Sequence, residues 1–204
     1  MALRLARVLR ERGDDARSLI RRPEHGDDVR EAGGEPVVCD LEAAGEDEVA
    51  AAIEGADAVV FAAGAGPGSG PERKETVDYG GAVKLIDAAK RAGISRYVIV
   101  SSVGADPNAS GDDTFAVYLR AKGRADAALR DSGLDYTIVR PGRLTDDPAT
   151  GRVAFEGSGQ IPREDVAAVV AATLADDGAI GSEFDLISGD IPIAEALSRA
   201  RGGP

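Results

Sequence analysis

Short apolar runs alternate with helical stretches along nearly the whole chain, and this alternation restricts the fold more than any other feature. The runs are Arg17–Ile20, Pro36–Leu41, Ala58–Ala63, Tyr97–Ser101, Tyr136–Val139 and Glu183–Ile187. Apolar spacing predicts helices over Ala2–Arg12, Glu46–Glu54, Val77–Ala92, Phe115–Asp131, Glu164–Ala175 and Ile193–Arg199. The stretches AVVFAAG and YVIVSSV show no apolar–polar alternation. A strand with one wet face alternates, whereas a strand covered on both faces does not. The pattern therefore predicts an α/β protein, a parallel sheet lying between two helix layers.

The chain has 204 residues, which suits one domain over 1–204 with a full core. No apolar run is long enough to span a bilayer, and the first residues lack the layout of a signal peptide. The net charge of −12 repels nucleic acid and anionic membranes, so neither is expected as a partner. Cys39 is the only cysteine, which excludes an internal disulfide and suits a reducing cytoplasm. It falls in a predicted strand, where a lone thiol is inert packing. His25 is the only histidine, so no histidine cluster can build a metal site, and no metal is expected.

Two loop-like stretches follow predicted strands, GAGPGSGP (64–71) and GADPNASGDD (104–113). Both therefore sit at the carboxyl edge of the sheet, where open α/β sheets bind ligands. Their composition favours mobility. The first carries Gly64, Gly66, Gly68 and Gly70, a spacing that matches neither G-x-G-x-x-G nor a P-loop.

Tyr118 and Lys122 in VYLRAKGRAD stand four apart on a predicted helix and share one face. A lysine ammonium beside a phenol stabilises the phenolate and lowers its pKa, giving a proton donor or acceptor usable near neutral pH. The alternative is a surface tyrosine beside a solvated lysine. Upstream, the strand in RYVIVSSVGA ends in Ser101 and Ser102. A serine there either holds a substrate carbonyl beside the tyrosine or caps the turn that leaves the strand. Paired Arg21 and Arg22 at the end of another strand suit an anionic phosphate; otherwise they form a solvated turn or pair with Asp27 or Asp28.

The ordered set VVFAAGAG, YVIVSSVGA, VYLRAKGRAD, DYTIVRPGRLTDDPATG and IPREDVAAVV resembles the atypical short-chain dehydrogenase/reductase family, in its NAD(P)H-binding group. The similarity runs from Ala2 to about Leu197. It implies a Rossmann-like, doubly wound parallel sheet. It implies that Arg21 and Arg22 meet the 2′-phosphate of NADP, and that Asp40 and Leu41 flank the adenine. Ala62, Ala63 and Gly64 would line the cofactor, with Ser101 beside it and Pro141 and Gly142 near the nicotinamide. Ser102, Tyr118 and Lys122 match the family's Ser–Tyr–Lys catalytic set, and Tyr118 and Lys122 would touch the cofactor as well. NADP is the expected cofactor, with NAD as the alternative.

One departure from the family stands out. The family begins with a strand and a glycine-rich loop ahead of the helix that matches Ala2–Arg12, and neither is present in these residues. The fold expected is thus N-terminally truncated, through either a start placed too late or a true truncation. The runs at Arg17 and Ala58 would then pair directly or leave amides unpaired. The residues from about 151 make a small substrate-side portion, which points to a small carbonyl or alcohol as substrate. The expected activity is hydride transfer between nicotinamide and that substrate, in a monomer or homodimer. The competing expectation is a non-catalytic NAD(P)-binding sensor or partner-binding protein, or an inactive truncated form.

Overall fold

The computed structural model describes residues 1–66 and 68–200. The chain runs α1 (Ala2–Arg12), β1 (Arg17–Ile20), a 3-10 turn (Pro23–His25), α2 (Gly26–Glu31), β2 (Glu35–Val38), α3 (Glu46–Ile53) and β3 (Ala58–Phe61). A single-turn α4 (Pro71–Arg73) passes into a π-helical segment (Lys74–Gly81), then α5 (Ala82–Arg91) and β4 (Arg96–Val100). There follow α6 (Thr114–Arg130), β5 (Asp135–Pro141), β6 (Arg143–Thr145), β7 (Arg152–Ala154), β8 (Gln160–Pro162) and α7 (Arg163–Leu174). The described chain closes with β9 (Ser182–Ser188), β10 (Ile191–Pro192) and α8 (Ile193–Ala200).

The main sheet has the order β3-β4-β5-β9-β7-β10. Strands β3, β4, β5 and β9 are mutually parallel, while β7 runs antiparallel to both β9 and β10. The sheet is therefore mixed at one end rather than wholly parallel, with the short β7 and β10 added beyond β9. Strands β6 and β8 form a separate parallel pair.

Every residue of β4 is buried. Tyr97 and Ile99 pack with Val49, Leu85, Ile86, Ala125 and Leu129 from α3, α5 and α6. Val98 and Val100 pack on the other face with Leu5 of α1, Val166, Val169 and Val170 of α7, and Leu197 of α8. Two apolar faces explain the absence of alternation in YVIVSSV.

Strands β1 and β2 pair in parallel with each other and, among the described residues, with no other strand. Among the described residues no backbone hydrogen bond joins β1 to β3. Of the two arrangements expected for these runs, direct pairing does not occur. The β1–β2 unit is held by side chains instead: Leu19 packs on the core that contains Val59 and Phe61.

Helix α1 ends as its sequence dictates. Gly13 takes φ 85°, its N–H donates to the Arg10 carbonyl, and the Asp14 N–H donates to the Leu9 carbonyl at 3.0 Å. A left-handed glycine closing a helix in this way satisfies carbonyls the helix leaves free. Strand β2 stops at Val38, so Cys39 lies just past it, still buried. His25 closes the 3-10 turn.

Candidate functional site

The site begins where β4 ends. Ser101 is buried, and its N–H donates to the Val139 carbonyl at 2.7 Å. Ser102 is half-buried, and the Val103 N–H then donates to the Pro141 carbonyl at 3.0 Å. The ends of β4 and β5 are thus stitched side by side, which sets Ser102 near Pro141 and Gly142. Gly142 admits no side chain, since a Cβ there would stand 2.4 Å from the Gly159 carbonyl oxygen.

Helix α6 presents Tyr118 and Lys122 to the same edge. Its start is fixed by Asp113, whose carboxylate accepts from the Phe115 and Ala116 N–H groups at 2.8 and 3.0 Å. The 104–113 loop expected to be mobile is fastened to this helix. Arg120 donates to the carbonyls of Ala109 and Gly111, and the Asp106 N–H donates to the Leu119 carbonyl. Gly123 allows the contact, because a Cβ would fall 2.3 Å from Asp106 backbone.

Lys122 is buried and holds three partners. Its ammonium donates to the Val100 carbonyl at 3.2 Å and the Ala63 carbonyl at 3.5 Å, and lies 3.4 Å from the Asp78 carboxylate. It therefore ties the ends of β3 and β4 to α6. Its nitrogen sits 5.9 Å from the Tyr118 ring centroid. Burial lowers the Lys122 pKa, with Asp78 opposing that shift. The Tyr118 pKa moves opposite to the sequence expectation: burial raises it, against the neighbouring Ser102 hydroxyl, and Asp78 and Asp126 raise it further. The phenol keeps its proton across neutral pH. A lysine already matched by a carboxylate leaves little field for the phenolate.

Asp78 is a site residue that no sequence motif marks. It lies in the π-helical segment, is 1% exposed, and accepts from the Ala65 N–H at 3.1 Å as well as facing Lys122. The signal available was ETVDYGGAV, an aspartate inside an otherwise apolar helical stripe. A π-helical segment widens the turn and is often found at functional sites.

Beside this centre a cavity of about 220 Å³ opens between β1, the stretch after β2, and the stretch after β3. Arg21, Asp40, Leu41, Ala63 and Gly64 line it, together with Glu42 and Arg73. Arg21 faces the Glu42 carboxylate at 3.6 Å, and Arg73 and Thr76 donate to it at 2.6 Å each. These bonds lower the Glu42 pKa. Arg22 lies outside this lining, exposed and 3.4 Å from Glu24, and Asp27 pairs with Arg30 instead of either arginine. Ala62 packs with the core on the α1–α7 face. The structure thus gathers Ser102, Tyr118 and Lys122 at one point, and Arg21, Asp40, Leu41, Ala63 and Gly64 at the cavity beside it. Lys122 touches both through Ala63.

A family model described as NAD(P)H-binding matches residues 1–177. The chain belongs to the NAD(P)H-binding family. YhfK of Bacillus subtilis, named an uncharacterized sugar epimerase, is 40% identical over 200 residues, covering 96% of this chain and 93% of its own. A Bacillus halodurans protein solved as a candidate NAD-dependent epimerase/dehydratase superposes with a TM-score of 0.88 at 38% identity, covering 97% of this chain and 93% of that one. The oxidoreductase ylbE of Lactococcus lactis superposes with a TM-score of 0.84 at 29% identity, covering 96% and 90%. The Rossmann-like α/β fold and the kinship drawn from the ordered motifs agree with these likenesses. The NAD(P)H-binding family thus supplies a ligand against which the cavity can be judged. Its apolar walls, Leu41 and Val77, suit a base, its arginines suit phosphate, and Gly64 brings bare backbone to its edge. These residues fit the adenosine end of a dinucleotide. No described helix is long and apolar enough to cross a membrane.

Proposed function

We propose that the protein is an NADP-dependent reductase of small carbonyl compounds, acting in the cytoplasm. The observation that carries the reading is a protonated, half-buried Tyr118 beside Ser102 and Lys122, next to a cavity lined by Arg21 and Arg73. When bound, the dinucleotide supplies the hydride. Tyr118 gives its proton to the carbonyl oxygen as that oxygen gains charge. With its pKa raised by burial, the phenol stands protonated at neutral pH, the form a general acid needs. Ser102 orients the same oxygen. Lys122, anchored by Asp78 and the Val100 and Ala63 carbonyls, holds a positive charge beneath the phenol as the proton leaves. Arg21 binds the 2′-phosphate, Asp40 and Leu41 border the adenine, and Pro141 and Gly142 border the nicotinamide.

The names of YhfK and the Bacillus halodurans protein favour a second reading, epimerisation, in which a bound dinucleotide would supply redox chemistry with no net turnover of the cofactor. The deciding experiment follows NADPH absorbance with a panel of small aldehydes and ketones, for wild type and Tyr118→Phe. The reductase reading expects NADPH consumption that falls by about 10²–10⁴ in the variant, with NADPH affinity nearly unchanged. Tight dinucleotide binding with no net consumption, together with Tyr118-dependent conversion of a sugar, would overturn it in favour of epimerisation. Binding without any Tyr118-dependent turnover would make the protein a sensor.

A further inference from the structure

Two lysines approach the Tyr118 ring, and only one is neutralised. The ammonium nitrogens of Lys74 and Lys122 stand 5.5 and 5.9 Å from the ring centroid. Both residues are more than nine-tenths buried, at 8% and 3% exposure. Lys122 faces the Asp78 carboxylate at 3.4 Å. Lys74 donates to the Gly66 carbonyl at 3.0 Å, and among the described residues no carboxylate lies within 4.0 Å of it.

The nearby acids are already taken. Asp126 binds Arg140 at 2.9 Å, Glu75 binds Arg124 at 2.6 Å, and Glu42 binds Arg73 at 2.6 Å. The positive charge of Lys74 also bears on Lys122, lowering its pKa. An ammonium has three donors, and a buried cation is costly unless it is paired. This surplus sits inside a chain whose net charge is −12, so it belongs to the site and not to a basic surface.

We propose that Lys74 is the seat of a ligand's anionic oxygen group, a carboxylate or phosphate held beside the Tyr118 ring. Two sources share that chemistry: a carboxylate on the substrate, next to the carbonyl that Tyr118 protonates, or a phosphate of the dinucleotide. The substrate source rests on the reductase reading. The anion seat itself rests on the charges alone.

The test uses the full chain with 15N- and 13C-labelled lysine. There are four lysines, Lys74, Lys84, Lys90 and Lys122, so side-chain signals are few, and Lys74→Arg assigns the one in question. Oxalate and inorganic phosphate are titrated first without dinucleotide, then with NADPH present. The seat is supported if either anion shifts the Lys74 signal, and if affinity falls about tenfold or more in Lys74→Gln but is kept in Lys74→Arg. Oxalate that still binds over NADPH identifies the substrate carboxylate. Oxalate displaced by NADPH, with NADPH affinity itself about tenfold weaker in Lys74→Gln, identifies the dinucleotide phosphate.

The proposal is overturned if neither anion nor NADPH moves the Lys74 signal of the wild-type protein. It is equally overturned if Lys74→Gln binds them as wild type does. Lys74 would then be only a prop for the Gly66 loop, a role glutamine can fill. The wild-type titration decides the matter even where Lys74→Gln does not fold. Failure of NADPH to bind at all would sink the reductase reading while leaving the oxalate titration to judge Lys74.

Discussion

The two parts of the sheet that border the site are held by different means. Strand β4 is bonded on both sides, to β3 and β5, and is buried along its whole length between two helix layers. Strand β1 is bonded on one side only, to β2, and only Ile20 of its four residues is fully buried. Ser102 follows the first strand; Arg21 follows the second. The cluster of Ser102, Tyr118 and Lys122 is therefore built on one of the most constrained strands of the molecule, and the cavity beside it is bounded by one of the least constrained. Under the proposed function the difference is fitting, since proton transfer needs fixed distances and an exposed arginine can follow a phosphate.

The strongest way to break this comparison is to remove the lysine on which three elements converge. Lys122→Met leaves Asp78, 1% exposed, without its counter-charge. Breaking a buried pair from one side costs about 3–5 kcal/mol. Replacing both partners, Lys122→Met with Asp78→Leu, should recover most of that loss. Arg21→Ala, by contrast, breaks only a half-exposed pair and should change stability by less than about 0.5 kcal/mol. Urea unfolding of the three variants and the wild type checks all of this. Equal losses in Lys122→Met and Arg21→Ala would refute the distinction.

Amide hydrogen exchange sharpens the same contrast at the backbone. The amides of Val98 to Val100 should open only with global unfolding, and those of Ser18 and Leu19 by local opening at a free energy about 2 kcal/mol or more lower. Matching protection in the two strands would mean that side-chain packing alone holds β1 as firmly as two ladders hold β4.

Much of this division was legible in the chain, and what was not has physical causes. The uninterrupted apolar run of β4 announced its two covered faces, and Gly13 announced the end of α1. The four-residue spacing placed Tyr118 and Lys122 on one face before any coordinates. The sequence could not show what opposes a charge. Asp78 and Lys122 are 44 positions apart, and only the packing of the π-helical segment against α6 brings them together. Burial of the phenol, with that unseen partner adding to it, inverts the expected direction of the Tyr118 shift. For Arg21 the sequence offers a phosphate, a solvated turn or the neighbouring Asp27 and Asp28, whereas folding presents Glu42. The antiparallel β7 and β10 escaped because two- and three-residue strands carry no periodicity to read.

A smaller effect concerns cofactor choice at the looser strand. Arg21 and Arg73 converge on Glu42 in the cavity, so a 2′-phosphate would compete with that carboxylate for both guanidiniums. Removing one charge-assisted partner of a phosphate should cost roughly tenfold in affinity. Arg21→Ala is thus expected to weaken NADPH about tenfold and to leave NADH nearly unchanged, as fluorescence titration would report. Glu42→Gln should act in the opposite sense and tighten NADPH. Loss of both dinucleotides in parallel would move Arg21 away from the 2′-phosphate.

The smallest expected effect is on the acid limb of stability, where the two regions should respond with opposite sign. At the cavity, hydrogen bonds from Arg73 and Thr76 hold the Glu42 pKa below its ordinary value of 4.5. Its stabilisation is complete above the unfolded value and is lost as pH falls through the folded one. On α6, burial raises the Asp126 pKa above 3.8, against Ser101 and Arg140. A raised carboxyl makes the native state the better proton binder, so its contribution is full below the unfolded value and declines as pH rises through the folded one. Glu42→Gln should therefore flatten the loss of stability below about pH 4.5 by a few tenths of a kcal/mol, the scale of a partly exposed pair. Asp126→Asn should steepen that loss, by removing a group that gains a proton on folding. Thermal melts between about pH 3 and 6 distinguish the two, and slopes of the same sign would show that the buried aspartate behaves as an ordinary ion-paired surface acid.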